Sequence, residues 1–73
     1  MAIISFDDVL KLKQACSEKF NEHVHFHDAC GGQYFSLETD SVEIRDFIKD
    51  FMLNMNYKVV FDKSGMSFTL EYA

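Results

Sequence analysis

The apolar positions of this chain switch between two periods, and the switch points lay out its elements. Val9, Leu12, Cys16 and Phe20 recur at helical spacing, which puts them on one face of a helix. Ser5 followed by Asp8 reads as an N-cap with an acidic N3 residue, so a helix is predicted from about residue 5 to residue 20. Lys13 falls on that face by angle, with its ammonium expected to reach water over an apolar stem. Asn21-Glu22 is a break, and from His23 the period becomes two. His23, His25 and His27 then share one side of an extended strand, with Val24 and Phe26 on the other. Gln33, Phe35 and Leu37 alternate in the same way with Tyr34, Ser36 and Glu38.

These two runs form a hairpin. Pairing Asp28 with Gln33 sets Phe26 against Phe35 and Val24 against Leu37, and faces His27 with Tyr34, His25 with Ser36 and His23 with Glu38. A slip of one residue would mix apolar with polar partners, so the register is well specified. The loop is then Ala29, Cys30, Gly31 and Gly32, with glycine supplying positive φ.

Helical spacing returns after Thr39 to Ser41, where Asp40 and Glu43 stand at capping-box spacing. Ile44, Phe47, Ile48, Phe51 and Met55 make an apolar stripe with Met52 on its rim, and Val42 and Leu53 point away from it as a candidate partner surface. The helix is predicted to end near Asn54-Met55-Asn56. Tyr57, Val59 and Phe61 give a further strand, Ser64-Gly65 a two-residue turn, and Met66, Phe68, Leu70 and Tyr72 a last strand. Ala2 to Ile4 is expected as a short edge strand.

The halves at 5–38 and 40–72 read as a tandem repeat of helix and hairpin. Val9, Leu12, Cys16 and Phe20 align with Ile44, Phe47, Phe51 and Met55, and Phe35, Leu37 and Glu38 with Phe68, Leu70 and Glu71. One such unit cannot bury its apolar faces alone. The expected fold is therefore a single α+β domain: a two-layer sandwich with an antiparallel sheet of four or five strands and two helices on one face. The element order also contains a ferredoxin-like βαββαβ core with a strand appended at the C-terminus. The halves differ in the first hairpin, which carries three histidines and the longer loop, so any special chemistry is expected there.

Composition narrows the function classes. Seventy-three residues with 48% hydrophobic content and eight phenylalanines support one small core. So thin a margin makes a homodimer an expectation. A net charge of −5 with scattered basic residues argues against nucleic-acid binding. No apolar run approaches the ~20 residues of a membrane span. The opening MAIISF lacks a charged n-region, and two cysteines fit a reduced cytoplasmic protein. No cofactor is implied.

Two constellations carry candidate chemistry. Histidines at i and i+2 lie ~6.5–7 Å apart on a strand and can chelate one zinc ion, whereas His23 and His27 stand ~13 Å apart and cannot share one. A metal site would thus draw on His25 with His23 or His27, plus a carboxylate such as Glu38 or Asp62. The competing expectation, and the favoured one, is a solvated face with His23 paired to Glu38. The second constellation is Cys30, a thiol beside adjacent glycines whose amides suit an anion nest, with His27 near enough to lower its pKa. Asp28 points away from His27, so a nucleophilic triad lacks its orienting acid. A plain hairpin loop with an incidental thiol is the simpler reading. Cys16 sits on the helical face and is expected to pack.

Asp28-Ala29-Cys30-Gly31-Gly32-Gln33 with the following Phe35 resembles the signature of the small bacterial proteins called the RDAC family. The layout of helix, DACGGQ hairpin, helix and hairpin is similar over nearly the whole chain. His27 stands where that family carries arginine. The resemblance implies the fold and the position of a site, and no particular activity. The expected function is a non-enzymatic module binding a protein or small-molecule ligand through Asp28, Cys30, Gly31, Gly32, Gln33 and Tyr34. The alternative is a thiol-dependent or metal-assisted activity centred on Cys30 and His27.

Overall fold

The computed structural model describes residues 4–29 and 31–73. Its elements are α1 (Phe6–Phe20), β1 (His25–Ala29), β2 (Gly32–Ser36), α2 (Val42–Leu53), β3 (Tyr57–Phe61) and β4 (Ser67–Tyr72). The strands form one antiparallel sheet in the order β1-β2-β4-β3, so the second strands of the two hairpins meet in the middle. Both helices cover the same face. Val9, Leu12 and Cys16 of α1 and Ile44, Ile48 and Met52 of α2 share one buried core with Phe35, Leu37, Tyr57, Phe68 and Leu70.

The expected register of the first hairpin is present, from His25 opposite Ser36 to Asp28 opposite Gln33. Together with Phe35 opposite Phe68 and Phe61 opposite Phe68, it lines up one phenylalanine from each strand. Phe26, Phe35, Phe68 and Phe61 follow each other at centroid spacings of 5.0, 4.9 and 5.1 Å, an aromatic row across the whole sheet. Phe35 and Phe68, in the middle, are fully buried, and Phe26 and Phe61 at the edges are half-buried.

Side chains set the helix ends. The Ser5 hydroxyl accepts from Asp8 N–H at 3.2 Å, and Asn21 closes α1 in the left-handed region at φ 55°. The second helix is capped by Ser41, which accepts from Ile44 N–H, and not by the expected Asp40 and Glu43 box. Asp40 instead meets Arg45 at 2.6 Å. The buried line of α2 is Ile44, Ile48 and Met52, so Met52 lies at its centre and not on its rim. Phe47 and Phe51 flank it, with Phe47 meeting Phe20 of α1 edge-to-face at 5.4 Å. This rotation follows from the helix pair. α2 must face both the sheet and α1, so its stripe divides between the two neighbours.

Two expectations about connections are corrected. The second hairpin is not closed by a two-residue turn at Ser64-Gly65. Asp62 N–H donates to Ser67 O at 2.9 Å, leaving residues 63–66 as the turn, and β4 starts at Ser67. The cause is Asp62, whose Oδ1 accepts from the Ser64 hydroxyl at 2.7 Å and from Gly65 N–H at 3.1 Å. In the first hairpin Ala29 still pairs with Gly32, so only positions 30 and 31 remain between the strands. The first loop is therefore the shorter one. The expected strand at residues 2–4 falls mostly outside the described residues, and Ile4 itself is buried but not in a strand. The sheet has four strands among the described residues, and β4 occupies an interior position.

Candidate functional site

The register sorts the outward side chains into rows on the face that neither helix covers. One row is His27, Tyr34, Thr69 and Val60, taken from the pairs His27 with Tyr34 and Val60 with Thr69 and from the β2–β4 register. The next is His25, Ser36 and Ser67, reaching Asp62 at the β3 edge. These positions face outward because their neighbours in sequence supply the aromatic row beneath.

At the first hairpin the row is ordered by stacking. The His27 and Tyr34 rings lie parallel, 10° apart in plane, at 4.4 Å between centroids. His27 Nε2 meets Ser36 Oγ at 2.9 Å, and His25 Nε2 meets Glu38 Oε2 at 2.9 Å. Both contacts run diagonally to the residue two beyond the facing one, as strand twist favours. Glu38 is thus the partner of His25, not of His23, because β1 begins only at His25 and His23 precedes the ladder. Among the described residues no three His, Cys, Asp or Glu side chains converge on one point. Asp62 stands at the opposite edge of the sheet, about three strand spacings or ~14 Å from β1, too far to join the histidines.

Beside this pair lies a shallow groove of about 420 Å³. Tyr34 forms one wall, Val60 and Asp62 the other, and Ser67 and Thr69 line it between them. Tyr34 and Val60 are both partly open to solvent, at 41% and 38%. The Ser64 hydroxyl, with the N–H groups of Ser67 and Gly65, holds the Asp62 carboxyl below its ordinary range against a smaller opposing effect of desolvation. The groove therefore offers an aromatic wall, two hydroxyls and an ionised carboxylate at one end.

The expected loop residues separate in the structure. Tyr34 lines the groove. Asp28 is exposed, and nothing lies within 4 Å of where a side chain on Gly31 would begin. Gly32 takes φ 123°, a backbone that only glycine adopts freely. Gln33 belongs to the helix-covered face, where its Oε1 accepts from Ile4 N–H at 3.1 Å, a tie to the N-terminal segment. Cys30 lies outside the described residues. Cys16 is fully buried, and burial, with the charge of Glu22 adding, pushes its thiol up to about 11.

Val60, Ser67 and Thr69 did not stand out in the sequence, and Asp62 did so only as a candidate carboxylate for the histidines. The signal was the outward alternation of the last hairpin, where Val60 is apolar between Lys58 and Asp62. Searches against protein-family models, curated proteins and solved structures found no match for this chain.

Proposed function

We propose that the chain is a non-enzymatic binding module, and that its open sheet face beside the first hairpin holds a flat, partly apolar group of a ligand or partner. The observation that carries this is the stacked His27–Tyr34 pair bordering a groove that no helix covers. The core is complete on the other face, so stability does not call for an aromatic wall here. Small hydroxyls between Tyr34 and Val60 leave room above the strand for a planar group, with donors and acceptors to orient it. His27, the base a Cys30 nucleophile would need, has its Nε2 bonded to Ser36 and its ring stacked on Tyr34, which favours binding over thiol chemistry. The DACGGQ resemblance supports placing the function at this hairpin, and the absence of a basic stripe supports a ligand other than nucleic acid. We also place the protein in a reducing, cytoplasmic setting, in keeping with its buried unpaired Cys16.

Titrating isotope-labelled protein with N-acetyltryptophanamide tests the reading. Shifts should cluster on Tyr34, Val60, Ser67 and Thr69 and vanish in Tyr34→Ala, a change that removes the stack on His27 at a cost of about 1 kcal/mol and is checked for folding by circular dichroism. Shifts that gather elsewhere, or that survive in the variant, would remove the open face as the site.

A further inference from the structure

We infer that the outer edge of β1 is a docking site for an acidic, extended segment of another protein, which would add to the sheet as a strand beside α1. Among the described residues the order β1-β2-β4-β3 leaves β1 paired on one side only, so half of its backbone N–H and C=O groups point away from β2. None of the described residues bonds to them. At the start of this edge, where the chain enters β1, lies a groove of about 480 Å³ between Leu10, Lys13, Gln14 and Ser17 of α1 and the segment His23, Val24 and His25. A strand edge flanked by a helix is the arrangement in which an added strand gains main-chain bonds and pockets for alternate side chains.

Charge selects the occupant. The chain carries twelve acidic residues and a net charge of −5, yet no Asp or Glu lines this groove. Lys13 has no ion-pair partner among the described residues, and the Ser17 hydroxyl and the His23 imidazole add polar groups. Three carboxylates stand behind the lining and are already engaged, the first being Glu22, buried beside His23 and accepting from the Glu38 and Thr39 N–H groups. Glu18 accepts from Gln14 Nε2 at 3.1 Å, and Glu38 meets His25 Nε2 at 2.9 Å. Leu10, 46% exposed, offers an apolar seat at one end. The far edge differs, since β3 carries the outward Lys58 as its second residue, a usual guard against edge pairing. β1 has neither lysine nor proline, and its one carboxylate, the exposed Asp28, lies towards the hairpin loop and outside the groove lining, so the acidic segment is seated at the His25 end. This site is separate from the open-face groove and stands or falls without it.

The test is binding of a short fluorescent peptide of alternating valine and glutamate, measured by anisotropy at low salt. It should bind, with shifts at Lys13, Gln14, His23 and His25. The same peptide with lysine for glutamate, and one methylated at alternate amide nitrogens on its pairing side, should not. Lys13→Glu, an exposed change checked for folding by circular dichroism, should weaken binding by at least about tenfold. Equal binding of the lysine or methylated peptide, or an unaffected Lys13→Glu, would overturn the proposal. So would self-association with rising protein concentration that Lys13→Glu abolishes, because the edge would then belong to a second copy.

Discussion

Glu22 shows how a single buried charge can hold a connection. Its side chain is 3% exposed, and Oε2 accepts from Glu38 N–H at 2.8 Å and Thr39 N–H at 3.0 Å. Burial would raise its pKa, but the Thr39 and Glu38 donors, with His23 nearby, outweigh it and leave the carboxyl below its ordinary 4.5. A depressed carboxyl stabilises the fold above its unfolded value and loses that contribution as pH falls through the folded one. Glu22→Gln should therefore cost about 1–3 kcal/mol at neutral pH. Urea midpoints measured along a pH series should show the gap to wild type closing in acid; a gap independent of pH would mean the charge is not what matters. Cys16 makes a separate prediction. With its thiol buried and raised to about 11, a Cys30→Ser protein should show no reaction with a disulfide reagent at pH 8 until it is unfolded.

Among the elements, α1 and β3 are joined by one side-chain bond across 49 residues of sequence. Tyr57 Oη donates to Asp8 Oδ2 at 2.7 Å, fixing the first turn of α1 against the start of β3. The same bond, with burial and the Asp8 charge behind it, pushes the Tyr57 hydroxyl up to about 12. A raised phenol stabilises the fold fully below its unfolded value near 10 and ceases to do so as pH rises through 12. Tyr57→Phe keeps the ring and should cost about 1–2 kcal/mol at pH 7. Thermal melts should show that the wild-type advantage disappears between pH 10 and pH 12, and an advantage that persists above this window would assign it to packing. The second hairpin depends on Gly65, at φ 73°, where a Cβ would meet the Arg45 side chain at 3.3 Å. Turn and helix are thus packed against each other.

For the whole molecule, the aromatic row is the seam. Phe35 and Phe68 stack at 4.9 Å with an interplanar angle of 5°, and they join hairpins whose backbones pair through few residues. Truncating either ring to alanine should cost about 3–5 kcal/mol, a large share of the stability of so small a domain. Phe61→Ala, at the half-buried end of the row, should cost less. Chemical denaturation followed by both far-ultraviolet dichroism and tyrosine fluorescence should give one coincident transition for each variant. Two separated transitions would mean that the hairpins unfold independently and that the row is not a common core.

Much of the fold was legible in the sequence because it depends on local periodicity. Val9, Leu12 and Cys16 had to share a helix face, and Phe26 could meet Phe35 only in the register that also faces His27 with Tyr34. One slip would have exposed those phenylalanines, so the alternation alone determined the first hairpin. The tertiary structure decided what periodicity does not encode. Met52 moved to the centre of its stripe because α2 packs against α1 as well as the sheet. Asp62 reshaped the second turn through bonds to backbone groups that no spacing rule reveals. Glu38 went to His25 because twist selects the diagonal neighbour. Above all, the groove pairs Tyr34 with Val60, which are 26 positions apart and on strands separated by β4. Only the strand order brings them to the same face of one site, and that order follows from how two hairpins close a common core.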